Sequence, residues 1–140
     1  MVAENEIILR RDLDAPRRLA FEAWTKPELL ALWWGPKGFT LPTCELDPRP
    51  GGACRLVLRG PDGRDTGFAG VYREVVEPER LVFSGIVDAD PGHEARITVT
   101  FTGNTELTVR QVFVDHPATR GALDGWAQSL DKLAVALKAH

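Results

Sequence analysis

The chain has 140 residues, 44% hydrophobic and 26% charged, with 17 Lys and Arg against 20 Asp and Glu for a net charge of −3. That is the balance of one ordinary folded domain, which buries about 70% of the surface its unfolded form exposes and needs no staples. It excludes a disordered chain, and a slightly acidic balance without a long apolar run argues against nucleic acid as a partner and against membrane insertion.

The opening segment MVAENEIILRRDLDAPRR places charges within and beside its short apolar run, so it reads as neither signal peptide nor anchor, and the expected location is cytoplasmic. In that reducing compartment Cys44 and Cys54 are expected as thiols. Residues 7–13 predict a strand, and Asp14 followed by Pro16 predicts a short helix over 15–24. Thr25, Pro27 and Glu28 have the spacing of a helix cap, a first-turn proline and an acid that reaches back to the cap. The helix they start carries Leu29, Leu30, Leu32, Trp33 and Trp34 and stops at Gly35-Pro36.

From Phe39 to Phe113 the pattern becomes short β-rich runs punctuated by Gly, Pro, Asn and Asp. It predicts six strands, over 39–46, 53–59, 66–76, 80–87, 95–102 and 105–114, which with the opening strand make an antiparallel sheet of seven. Residues 115–140 return to helical spacing, with Leu123, Trp126, Leu130, Leu133 and Leu137 on one face and a start between Pro117 and Ala122.

Strand parity assigns the faces. Cys54, Leu56 and Leu58 are expected inward with Arg55 and Arg59 outward; Ile97, Val99 and Phe101 inward; and Leu107, Val109, Gln111 and Phe113 inward. Matching the last two sets puts Phe101 opposite Leu107 across a three-residue loop. For the middle strands Phe68, Tyr72 and Val76 are expected inward with Leu81 and Phe83, leaving Arg73 outward, with Glu74 near the strand end reaching solvent. The same arithmetic sets Cys44 opposite Cys54 across the LDPRPGG turn.

The order strand, two short helices, six-stranded meander, long helix resembles the α+β helix-grip arrangement of the START-like (SRPBCC) superfamily. The runs TKPELLALWWGPKGFT, PRPGGACRLVLRGPDG, GVYREVVEPERLVFS and GWAQSLDKLAVAL are similar to the homologues of the activator of heat-shock protein 90 ATPase. The double tryptophan Trp33-Trp34 before Gly35-Pro36 is the most specific element, with Gly125-Trp126 in support. The resemblance spans nearly the whole chain and implies a curved sheet gripping a long helix around a cavity. Relatives in the superfamily bind lipids, sterols or polyketides, and some cyclise or hydrolyse them.

On that fold Trp33, Trp34, Phe39, Tyr72, Phe83, Phe101, Phe113, Trp126 and Leu130 are expected to line or close a cavity for a hydrophobic small molecule, with packing as the alternative for each ring. Gln111 is the polar candidate, because an inward amide needs a partner that a ligand, the backbone or water can supply. His93, with Asp88, Asp90 and Glu94, and His116 read as a solvated loop and a helix start. Arg10-Arg11 and Arg17-Arg18 read as a solvated basic face, while Lys26 and Lys37 flank the double tryptophan. No HExxH, paired CxxC, nucleophile elbow or phosphate-binding glycine loop occurs, so no metal or cofactor is expected. Three functions compete: a binding module, a cyclase or hydrolase using a Tyr, Glu or His in the cavity, and a protein that docks on a chaperone through exposed rings at Trp33 and Trp34. A homodimer is left open.

Overall fold

The computed structural model describes residues 5–87, 94–103, 105–113 and 120–138, the last stretch without the side chains of residues 120 and 121. Strand β1 (Glu6–Asp12) is followed by helices α1 (Arg17–Thr25) and α2 (Pro27–Leu30). Strands β2 (Thr40–Leu46), β3 (Ala53–Arg59), β4 (Asp65–Val76), β5 (Arg80–Val87), β6 (Glu94–Thr102) and β7 (Glu106–Phe113) come next, and then helix α3 (Arg120–Lys138). All seven strands form one antiparallel sheet in the order β1-β7-β6-β5-β4-β3-β2. It is an α+β helix-grip arrangement, with α3 and α1 on the face that carries the apolar side chains.

Register explains that face. Leu81, Val99 and Val109 lie in one row across β5, β6 and β7, and Leu9 of β1 continues it. Val99 and Val109 are fully buried, as are Leu130 and Leu133 of α3, and all four belong to one hydrophobic core. Phe101 pairs with Leu107 across the three-residue loop that parity requires. Thr105 in that loop has a φ of 64° and donates its hydroxyl to the Ala15 carbonyl, tying the loop to the entrance of α1.

Four expectations are corrected. Helix α2 has only four residues, and Thr25 does not cap it; its hydroxyl donates back to the Phe21 carbonyl at 3.2 Å, because Thr25 still belongs to the last turn of α1. The cap position falls on Lys26. Cys54 pairs with Leu46, not Cys44, because the turn closes early through Asp47 N–H to the Ala53 carbonyl at 3.0 Å. A two-residue slide keeps both thiols on the inward face. A bulge between Tyr72 and Glu74 reverses parity beyond Arg73, so Val75 pairs with Leu81 and packs on the core while Val76 is exposed. Leu123 is also exposed, so the buried stripe of α3 begins at Trp126. Arg73 faces outward as expected, donating to Ser84 Oγ at 2.7 Å and pairing with Glu94, and Glu74 meets Arg80 at the surface.

Candidate functional site

The turn after α2 forms one wall of the site. Gly35 has a φ of 97°, a conformation that calls for glycine, and a Cβ there would also press on Leu58 Cδ2 at 2.6 Å. Helix α3 holds this turn from the opposite side. Gly35 N–H donates to Ser129 Oγ at 3.1 Å, and Lys37 N–H donates to Gln128 Oε1 at 3.0 Å. Lys132 Nζ reaches the carbonyls of Gly35 and Pro36 at 3.3 and 3.5 Å, and burial lowers the pKa of this ammonium. The Ser129 hydroxyl in turn donates a hydrogen bond to the Gly125 carbonyl at 2.9 Å. Ser129→Ala would leave the Gly35 N–H buried without its acceptor, and is expected to cost about 1–3 kcal/mol in urea unfolding.

The latched turn presents Trp34 to a cluster of all four tryptophans. Ring centroids lie 4.6 Å apart for Trp24 and Trp33, 5.6 Å for Trp33 and Trp34, and 5.3 Å for Trp34 and Trp126, all edge-on. Trp24 stacks on Trp126 at 5.9 Å. Trp33 donates its indole N–H to the Ala23 carbonyl at 3.0 Å, and Trp126 donates its own to Gln111 Oε1.

Beside this cluster a cleft of about 250 Å³ opens between sheet and helix. Leu58, Phe68, Val87, Ala95, Ile97 and Gln111 make its floor; Trp34, Gly35 and Pro36 make one wall; Ala122, Gly125, Trp126 and Ser129 of α3 make the other. A recess of about 110 Å³ adjoins it between Trp34, Leu56 and Phe68. Small residues create the room: Ala95, Gly85 and Gly70 lie side by side across β6, β5 and β4. There Phe68 lies against Gly85, and a Cβ on Gly85 would sit 2.5 Å from its ring. On the helix, Gly125 contributes the absence of a side chain. A third, inner pocket of about 10 Å³ lies behind Trp34, lined also by Trp24, Cys54, Tyr72 and Phe83.

The family model described as Activator of Hsp90 ATPase homolog 1-like protein matches residues 14–138. The chain belongs to that family. A solved protein from Chromobacterium violaceum is 31% identical and superposes with a TM-score of 0.88, covering 96% of this chain and 97% of its own. One from Rhodobacter sphaeroides is 27% identical with a TM-score of 0.88, over 99% of this chain and 95% of that one. One from Nitrosomonas europaea is 27% identical with a TM-score of 0.79, over 99% and 97%. Comparison with curated proteins finds no match.

In this member of the Hsp90 ATPase activator homologue family, the expected site residues divide into groups. Trp34, Gln111 and Trp126 meet at the cleft. Tyr72 and Phe83 belong to the inner pocket. Trp33, Phe101 and Leu130 are core, with at most 1% exposure. Phe39 packs against Gly35 and Gly60, supporting the turn, and Phe113 is buried at the end of β7. For Gln111 the sequence leaves a ligand, the backbone or water as partner; in the structure its Oε1 accepts from the Trp126 indole instead. Sequence reasoning missed Trp24, although Ala20, Phe21 and Trp24 have the spacing of a buried helix face. It also missed the latch residues Gln128, Ser129 and Lys132. His93, Asp88, Asp90 and His116 lie outside the described residues. Among the described residues no cluster of three His, Cys, Asp or Glu is placed to hold a metal, and no helix is long and apolar enough to cross a membrane.

Both cysteines are free, and burial pushes each thiol from 9.0 up to about 11. At pH 8 that lowers the thiolate fraction about a hundredfold, so Ellman's reagent is expected to label the native protein about that much more slowly than the urea-unfolded chain. The folded chain retains protons that the unfolded chain releases above its pKa. Stability is therefore expected to fall as pH rises from 9 towards 11.

Proposed function

We propose that the protein is a binding module for a small, largely apolar or aromatic molecule seated between the sheet and α3. The observation that carries this reading is the free space at Gly125. Glycine inside a helix costs about 1 kcal/mol relative to alanine, yet a Cβ here would meet only Pro36 Cγ at an ordinary 3.8 Å. Packing within the protein does not ask for glycine at this position; an occupant of the cleft would. The lining supports the same reading, being mostly aliphatic and aromatic with the Gln111 amide as a polar handle. None of the described lining residues titrates, so this wall offers a ligand shape and apolar area more than proton transfer.

The docking alternative needs the double tryptophan at the surface, and Trp33 is fully buried while Trp34 is only partly accessible. The binding reading is tested by native mass spectrometry of freshly purified protein, followed by a thermal-shift screen of fatty acids, sterols and aromatic polyketides. The expected result is a co-purifying small molecule, or a compound whose stabilisation grows with concentration, reaching about 2.7 kcal/mol at a hundred times its Kd. A protein of bare mass that no compound stabilises would contradict it.

A further inference from the structure

The inner pocket behind Trp34 raises a separate question of chemistry. Trp24 is 2% exposed, and its indole Nε1 is the one fully buried side-chain nitrogen or oxygen among the described residues with no hydrogen-bond partner. The other two buried indoles of the cluster are satisfied, Trp33 by the Ala23 carbonyl and Trp126 by Gln111. Leaving a donor of this kind unpaired is costly, and native proteins do so sparingly. Trp24 lines the inner pocket together with Tyr72, whose phenol is also buried there, while the rest of the lining is apolar or thiol. The space, about 10 Å³, matches one non-hydrogen atom. A single ring, Trp34, borders this pocket, the cleft and the adjoining recess.

We infer that the inner pocket is the polar end of the ligand site: a ligand in the cleft turns Trp34 aside and places one hydrogen-bond acceptor, a carbonyl or ether oxygen, on the Trp24 indole N–H. This rests on the binding reading above and adds the ligand's chemistry, an apolar body that leads with an acceptor and carries no charge at that end. A hydrocarbon of the same shape gains the cleft and leaves the indole unpaired. A carboxylate is disfavoured, since no described cation lines the pocket to offset its desolvation.

The test uses the full-length protein and two isosteric probes, 2-acetylnaphthalene and 2-isopropenylnaphthalene, which differ by a carbonyl oxygen in place of a methylene. Titration followed by ¹H–¹⁵N spectra resolves the tryptophan indole signals separately, with Trp24 assigned from Trp24→Phe. The ketone is expected to bind about tenfold more tightly than the alkene and to move the Trp24 indole proton downfield, and Trp24→Phe is expected to remove that preference. Should Trp24→Phe fail to fold, the Trp24 signal is assigned instead in the wild type by through-bond and nuclear Overhauser connectivities, and its shift and the probe preference decide. Equal binding of both probes with a stationary Trp24 signal overturns the inference and leaves the binding reading intact. Failure of the ketone to bind overturns the inference, and failure of both probes together with failure of the broader ligand screen overturns both.

Discussion

Trp33→Ala is expected to destabilise the protein by about 3–5 kcal/mol. Trp33 is 0% exposed and is the largest of the fully buried side chains, held between Trp24 and Trp34. Its removal deletes apolar contact on both rings and the bond from its indole to the Ala23 carbonyl. The surrounding elements cannot collapse into the gap, because α3 holds the turn beside it through Gly35, Lys37 and the Lys132 ammonium. Trp33→Phe keeps most of the ring contact and gives up the hydrogen bond, so its loss is expected to be smaller by about half. Urea unfolding of the two variants checks both the size and the order. A loss below about 1 kcal/mol for the alanine variant would mean that the indole cluster does not hold the turn.

The second large effect is steric and lies in the sheet. A Cβ on Gly85 would come within 2.5 Å of the Ala69 carbonyl oxygen and 2.9 Å of Gly70 Cα. Both are backbone atoms of the paired strand and cannot rotate away. Gly85→Val is therefore expected to cost about 3 kcal/mol or more, at the upper end of overpacking effects. Gly125→Ala is the control: with only Pro36 Cγ nearby, at 3.8 Å, it is expected to be neutral or stabilising by up to about 1 kcal/mol. Equal destabilisation by the two substitutions would contradict the distinction drawn here between glycines that the fold needs and a glycine that the cleft needs.

Strand order, helix order and most facing residues are legible in the sequence because alternation and helical spacing are local signals. Ile97, Val99 and Phe101 of β6 and Leu107 and Val109 of β7 follow parity to the residue. Parity fails at Arg73, where one extra residue turns Val76 outward, because a bulge leaves no mark in a run as uniformly β-prone as VYREVV. The Cys44 register fails for a related reason: it is set by hydrogen bonds inside the Asp47–Gly52 turn, which composition does not encode. The candidate site was less legible than the fold. Sequence leaves each aromatic ring as cavity lining or core packing; Trp33 and Phe101 fill the core, while aliphatic and small residues such as Leu58, Ala95 and Gly125 shape the cleft. Space is made by what a residue lacks, and the donors that fix its walls come from positions some ninety residues apart, as with Gly35 and Ser129.

The binding reading itself is tested most directly by filling the cleft. Gly125→Phe projects a ring from α3 into that space without backbone strain, since glycine there has no special conformation and phenylalanine is the better helix former. Titration of 1-anilinonaphthalene-8-sulfonate, read by probe fluorescence excited through the tryptophan cluster, compares the variant with the wild type. The expected result is saturable binding to the wild type, weakened at least about tenfold in the variant with no fall in its unfolding midpoint. A well-folded Gly125→Phe protein that binds the probe as tightly as the wild type would contradict the placement of the ligand between the sheet and α3.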